Sequence, residues 1–238
     1  MIVIEPHGTN RCQVFHSDIN IGFISIRCNP YHAQNYYLDL ELKQYDLANA
    51  KELFRLLRLK LSRPLQVMLY SREIEKSAFL LAGGFQKRRQ CFEMDVSTAD
   101  LKAPINDSIP IIEVGRGDPA YRACCGLLYS SYRKNHEAIN PLTATKELFY
   151  RKLPDTVIFQ QENGDILNFA FIEENEIAYI GTSRQSYFHD FAQTLLSRML
   201  TKYNSVSFEC DSCDPVAMEL RAFFDLSNMD SYDTYILN

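Results

Sequence analysis

Several short stretches of the chain place reactive side chains at spacings that could do chemistry. CDSC, at 210–213, is a Cys-x-x-Cys pair, which alone reads as a redox couple or half of a zinc site. No second such pair and no His-x-x-x-His partner follows it. Its place between a strand and a helix would set a thiol at a helix N-terminus, where thiol pKa values fall. GRGD, at 115–118, has the glycines of a phosphate loop without the Gly-Lys-Ser/Thr that completes one. A strand-to-helix turn capped by Asp118 explains it more simply. KRRQ, at 87–90, is a basic patch that could meet phosphates or an acidic partner, though a solvated strand edge explains it more simply. Glu173, Glu174 and Glu176 offer carboxylates that could take a proton from an amine. A charged turn between strands explains them more simply. The Ser, His and Asp residues show no nucleophile-elbow context, so a hydrolase triad is not supported.

Positioning these groups takes elements of regular structure, and the 238 residues hold enough apolar content, 46%, to build them around a core. A formal net charge of −5 argues against a nucleic-acid partner, which would call for a basic patch and a high pI. No apolar run approaches the ~20 residues that cross a bilayer, and the start MIVIEPHGTNR has no signal-peptide pattern. A soluble, cytoplasmic protein with no membrane partner is expected. The odd number of cysteines, seven, scattered through predicted strands and helices, fits a reducing compartment. Adjacent Cys124 and Cys125 read as small core residues of a buried helix.

Residues 1–98 alternate strand and helix signals. RCQVFH, IGFISIRC and NYYLDLELKQY read as strands. DLANAKELFRLLRLKL follows with Leu47, Ala50, Leu53, Phe54, Leu57 and Leu61 at helical spacing and Asp46 as N-cap. PLQVMLYS is a strand, REIEKSAFLLAGG a helix and RRQCFEMDV a strand. Gly83 or Gly84 supplies the left-handed residue that ends that helix, and Phe85 folds back onto its apolar face. Residues 97–109, polar and aperiodic, read as a linker. The second half repeats the plan behind an added strand and two helices at 109–153. Three strands follow in DTVIFQQENGDILNFAFIEENEIAYIGT, then helix, strand, helix, strand. A truncated module at 1–98, a linker at 99–108 and a complete domain at 109–238 are expected.

This order, with AFLLAGGFQKRRQCFEMDV in the first half and DPVAMELRAFFDLSNMDSYDTYIL in the second, resembles the GNAT superfamily of acyl-CoA-dependent N-acyltransferases. The resemblance implies an α/β fold of two GNAT-like modules in tandem, each a mixed, mostly antiparallel sheet flanked by helices. In that family a strand leads into a loop of type Arg/Gln-x-x-Gly-x-Gly/Ala and then a helix. Small residues there let backbone amides approach a pyrophosphate, and the helix dipole assists. The similar stretch here is IGTSRQSYFHDFAQTLL, with Asp190 at the first glycine position and Ala192 at the second. Ala48 and Ala50 take those places in the first half.

What the resemblance implies is acetyl transfer from acetyl-CoA, by direct attack, to a small-molecule or peptide primary amine. Ile180, Gly181 and Thr182 would bind the pantetheine arm through the backbone. The loop of Tyr187, Phe188, His189, Asp190, Phe191 and Ala192 would hold the pyrophosphate. Glu176 would act as base, with Tyr179 replacing the family's tyrosine acid, whose place is taken by Arg221 and, in the first half, Leu80. Asp190 either caps its helix in a site that no longer binds CoA, or turns to solvent while the backbone still cradles phosphate. Arg221 is expected on a solvated helix face. No metal is implied, and a homodimer is possible. The competing expectation is a non-catalytic GNAT-like module that binds a small ligand or a protein partner.

Overall fold

In the computed structural model, which describes residues 1–226 and 229–238, these contain twelve strands and six α-helices. In chain order they are β1 (Ile2–Pro6), β2 (Arg11–His16), β3 (Ile19–Cys28), β4 (Tyr36–Leu42), α1 (Leu47–Lys60), β5 (Leu65–Tyr70), α2 (Ile74–Ala82) and β6 (Gln86–Val96). Then come β7 (Ile112–Gly115), α3 (Pro119–His136), α4 (Lys146–Tyr150), β8 (Thr156–Glu162), β9 (Asp165–Glu173), β10 (Glu176–Thr182), α5 (Phe188–Lys202), β11 (Val206–Asp211), α6 (Pro215–Arg221) and β12 (Tyr232–Leu237). The α/β class and the mixed sheets expected from the sequence are present. Among the described residues no helix is long and apolar enough to cross a membrane.

The chain divides into two compact units. Unit 1 comprises Met1–Gln90, Glu137–Ala144 and Asp230–Asn238, and unit 2 comprises Cys91–His136 and Thr145–Met229. These differ from the contiguous boundaries read in the sequence. The final strand, placed by that reading in the second module, pairs antiparallel with β5 from Tyr232↔Tyr70 to Leu237↔Leu65. It contributes the fully buried Tyr235 to the core of unit 1. The second half of β6 pairs antiparallel with β11 in unit 2, from Val206↔Val96 to Asp211↔Cys91. Local pattern predicts that each segment is a strand. Which sheet edge it completes is a long-range choice that pattern does not carry.

In unit 1 the strands neighbour in the order β1-β2-β3-β4-β5-β12. All pairs are antiparallel except β4 with β5. Strand β1, absent from the sequence reading, pairs with β2 from Ile2↔His16 to Pro6↔Cys12. Helix α1 buries Ala50, Leu53, Phe54 and Leu57, the apolar stripe visible in its sequence. Helix α2 ends at a glycine pair of divided labour. Gly83 keeps a right-handed backbone, and Gly84, at φ +95°, is the left-handed residue. The Phe85 amide then donates to the Leu80 carbonyl at 3.0 Å, which returns the Phe85 ring to the core against Phe54.

Unit 2 has the neighbour order β6-β11-β10-β9-β8-β7, with β10 and β11 parallel and β6–β11, β9–β10, β8–β9 and β7–β8 antiparallel. Alternation along the strands sorts its faces. Ala170 and Ile180 join the core formed with α5 and α6. Phe171 and Tyr179, paired across β9 and β10, meet rings of α3 and α4. The stretch read as a linker is held to this unit. Ser97 and Asp100 form a capping box, Asp107 makes a bidentate pair with Arg198 of α5, and Leu101 bridges to Phe224.

Candidate functional site

The parallel strands of unit 2 part soon after they meet. The β10–β11 ladder consists of Glu176↔Ser207 and Ile177↔Phe208. On its other side β10 stays paired with β9 as far as Thr182↔Asn168, with a bulge between Ile177 and Tyr179. The bulge and the missing rungs turn β10 away from β11, so the two strands form a fork that opens toward their C-terminal ends. The backbone of 179–182 on the β11 side is thereby left outside the ladder. Ile180 packs into the core, and Gly181 admits no side chain: a Cβ there would lie 2.3 Å from the Phe169 ring. The Thr182 hydroxyl serves the following turn, donating to the Leu167 carbonyl and accepting from the Arg184 amide.

Beyond the fork the chain makes a 3₁₀ turn, Gln185–Tyr187, and enters α5. Phe188, Phe191 and Ala192 point into the core, each fully buried. Buried there, they anchor the helix from below. Asn168, itself fully buried, donates to the Tyr187 carbonyl at 3.1 Å and ties β9 to the turn. Asp190 is exposed, and the first turn of α5 has no side-chain cap. The capping alternative for Asp190 is therefore set aside. His189 is exposed but stacks on Phe223 with centroids 4.8 Å apart. Arg184, exposed at the entrance to the 3₁₀ turn, is a cation the sequence reading passed over.

Unit 1 contains a second fork, since β4 and β5 share only Tyr36↔Leu65 and Tyr37↔Gln66. The helix after it differs. Asp46 Oδ1 accepts the Ala48 amide at 3.0 Å, and Oδ2 accepts from the Asn49 side chain at 2.6 Å. A carboxylate already sits where an anionic ligand would need the helix start.

On the other face of unit 2, α3 spans the mouth of the β10–β11 fork. Tyr132 lies 6.4 Å from Tyr179 of β10, ring to ring, and stacks on His136 at 4.0 Å. His136 Nε2 lies 3.6 Å from Asp211 Oδ2 at the end of β11. Phe149 of α4 closes the group, 6.3 Å from Tyr179. Glu176, exposed, is at the closed end of the fork, in register with Glu173 and Ser207. The structure thus brings Tyr179 into the mouth and leaves Glu176 at its base. Asp214 caps α6, accepting from the Val216 and Ala217 amides. Burial pushes its carboxyl above the usual carboxylate range.

One expectation is corrected here, and the redox alternative for the Cys-x-x-Cys pair is removed at Cys210. Arg221 is not on a solvated face: its guanidinium lies over the Phe92 ring at 4.2 Å, and among the described residues its buried Nε has no partner. Cys210 is not an activated thiol. It is fully buried, its Sγ donates to the Ala217 carbonyl, and burial pushes its pKa up to about 12. Cys124 is likewise buried and raised to about 12. Among the described residues no cluster of His, Cys, Asp and Glu could hold a metal ion. Asp118 caps α3 through the Ala120 amide, as the GRGD turn implied. In the KRRQ stretch, Lys87 pairs with the buried Asp233 at 2.7 Å.

The arrangement of strands and helices as a whole is also found in solved structures. A GCN5-related N-acetyltransferase from Sphaerobacter thermophilus superposes on this chain with a TM-score of 0.57, at 12% identity, covering 97% of this chain and 81% of the other. The fold is that of the GNAT superfamily. A GCN5-related N-acetyltransferase from Kribbella flavida aligns over 100% of this chain and 90% of its own, at 12% identity and a TM-score of 0.48. No protein-family model matches the sequence, and no curated relative matches it significantly. The likeness therefore lies in the GNAT backbone rather than in shared residues.

Proposed function

We propose that the chain is an N-acetyltransferase of two GNAT-like modules, the first truncated, in which unit 2 transfers an acetyl group from acetyl-CoA to a primary amine. The observation that carries this reading is the fork between β10 and β11 with the uncapped start of α5 at its open end. Unladdered strand backbone suits the amide-rich pantetheine arm, and a helix start without a side-chain cap suits a diphosphate. Ile180, Gly181 and Thr182 line the arm. The stretch from Tyr187 to Ala192 receives the pyrophosphate, with Arg184 adding a cation. The Tyr187 and Phe188 amides already donate to the Arg184 and Gln185 carbonyls, so the backbone donors come from the residues after them.

The acceptor is a small-molecule or peptide amine entering on the α3 and α4 face. Glu176 draws its ammonium toward the fork, and Tyr179 lies beside the thioester. The nitrogen attacks the thioester carbon directly, so no covalent enzyme intermediate forms. Unit 1 does not share this role, because Asp46 occupies its helix start.

Isothermal titration of the full chain with acetyl-CoA, followed by an assay of thiol release with spermidine as the acceptor probe, tests the reading. Binding with amine-dependent release supports it. Binding without release favours a ligand-binding module, and no binding at millimolar cofactor removes the enzyme reading.

A further inference from the structure

The face of unit 2 opposite α3 and α4 holds a cavity at the edge of the sheet. One row of cross-strand partners shows how it arises. Ile180 of β10 sits beside Ala170 of β9, Ala170 beside Ile158 of β8, and Ile158 beside Glu113 of the edge strand β7. The first two are buried in the core formed with α5, Ile158 is half-buried, and Glu113 is exposed. Helix α5 thus roofs the middle strands, and only its last turns reach the side chains of β7 and β8. Between them lies a cavity of about 170 Å³, with Ile111, Ile158, Ile172 and Met199 as its apolar lining. That volume suits a body the size of one six-carbon ring, since an apolar cavity of about 150 Å³ holds benzene.

Charge decides what such a body must carry. Glu113, Glu174, Arg198 and Lys202 stand around the apolar lining. Arg198 is already answered by Asp107, in a bidentate pair at 2.9 and 3.1 Å. Lys202 leans on Tyr203, its Nζ 4.9 Å from the ring centroid. Among the described residues neither glutamate makes a hydrogen bond or an ion pair, and Glu113 meets Lys202 only as a charge at longer range. One lysine therefore faces two carboxylates, which bracket the isoleucines from β7 and from the turn after β9. The rim keeps an excess of one negative charge.

We propose that this cavity binds a small organic monocation, an ammonium carried on an aromatic or branched-alkyl body of about six carbons. The body covers isoleucine surface that α5 leaves half-exposed, and the ammonium lies at the carboxylate rim. The site is remote from the fork: Lys202 is the last residue of α5, about 20 Å along the helix from Phe188. The inference does not rest on the acyl-transfer reading.

Calorimetric titration of the full chain, with no acetyl-CoA present, compares benzylammonium, benzyl alcohol and benzoate, three probes of similar shape and different charge. Benzylammonium is expected to bind with a Kd of about 1 mM or tighter. Benzyl alcohol is expected to bind about fivefold more weakly, and benzoate more weakly still. The double variant Glu113→Gln, Glu174→Gln changes two exposed side chains and leaves the core intact. It is expected to bring benzylammonium down to the affinity of the alcohol. Equal affinity for alcohol and ammonium in the wild type, or tighter binding of benzoate, overturns the proposed ligand class. A double variant that binds benzylammonium as the wild type does overturns the site, because the amine then lies elsewhere. No heat up to about 10 mM benzylammonium overturns the proposal altogether. None of these outcomes bears on acetyl-CoA, whose binding is titrated separately.

Discussion

The rings of Phe54 and Phe85 meet edge-on, with centroids 4.7 Å apart and planes at 74°. This contact locks the end of α2 onto α1, and it dictates both glycines between them. A Cβ on Gly83 would lie 2.2 Å from the Phe54 ring, which is fully buried and has nowhere to go. A Cβ on Gly84 would meet Leu237 at an ordinary 3.5 Å, so only the left-handed backbone opposes it. Gly83→Ala should therefore cost about 3 kcal/mol, the range of an overpacked core, and Gly84→Ala about 1 kcal/mol, the range of a strained left-handed residue. Urea unfolding followed by circular dichroism gives the order. A larger loss for Gly84→Ala would contradict the packing argument.

Much of this fold is legible because its signals are local. The stripe Ala50, Leu53, Phe54 and Leu57 marks α1, and the glycine pair marks the end of α2. Strand β1 was not legible: five residues, IVIEP, ending in proline, hold too little pattern to stand out. The sheet membership of β12 and of the second half of β6 was not legible either. The same residues would complete either edge, and a single chain cannot reveal which. At the site, the approach of β10 to a helix start could be read from element order. The meeting of Tyr132, His136 and Asp211 could not, because it joins residues 75 apart in the chain that share no motif. Arg221 was misplaced for the same reason, its Phe92 platform lying on a distant strand.

Asp190 tests the electrostatics of the proposed phosphate site. It is exposed in the first turn of α5, where a carboxylate favours the helix dipole by about 0.3–1 kcal/mol. The same charge opposes a dianionic diphosphate approaching that turn. Asp190→Asn should lower stability by a few tenths of a kcal/mol and tighten acetyl-CoA binding by about threefold, as expected of a solvent-screened charge. Calorimetry at low and high salt measures it. Weaker binding in the variant would mean that Asp190 supports the ligand.

Asp214 supplies a pH signature. Its carboxyl is raised chiefly by burial and further by Asp211, against the lowering effect of the Ala217 and Val216 amides. A folded carboxyl with a raised pKa holds its proton longer than the unfolded one. Between the ordinary value near 3.9 and the raised value, the folded state binds more protons, and stability from this group falls as pH rises. Asp214→Asn keeps a capping oxygen and removes the charge. The variant should match or exceed the wild type at neutral pH and lose part of that slope. Urea midpoints measured at a series of pH values from acid to neutral compare the two. An unchanged slope with a lower neutral stability would show that the carboxylate is needed for its cap alone.

The central claim is that one of the two forks holds acetyl-CoA, the one followed by an uncapped helix, and that the other is closed by Asp46. Titration calorimetry of the full chain tests it directly. One molecule of acetyl-CoA bound per chain is predicted, with affinity weakened by Arg184→Glu and indifferent to Asp46→Asn. Two molecules per chain, or no heat at millimolar cofactor, would contradict it.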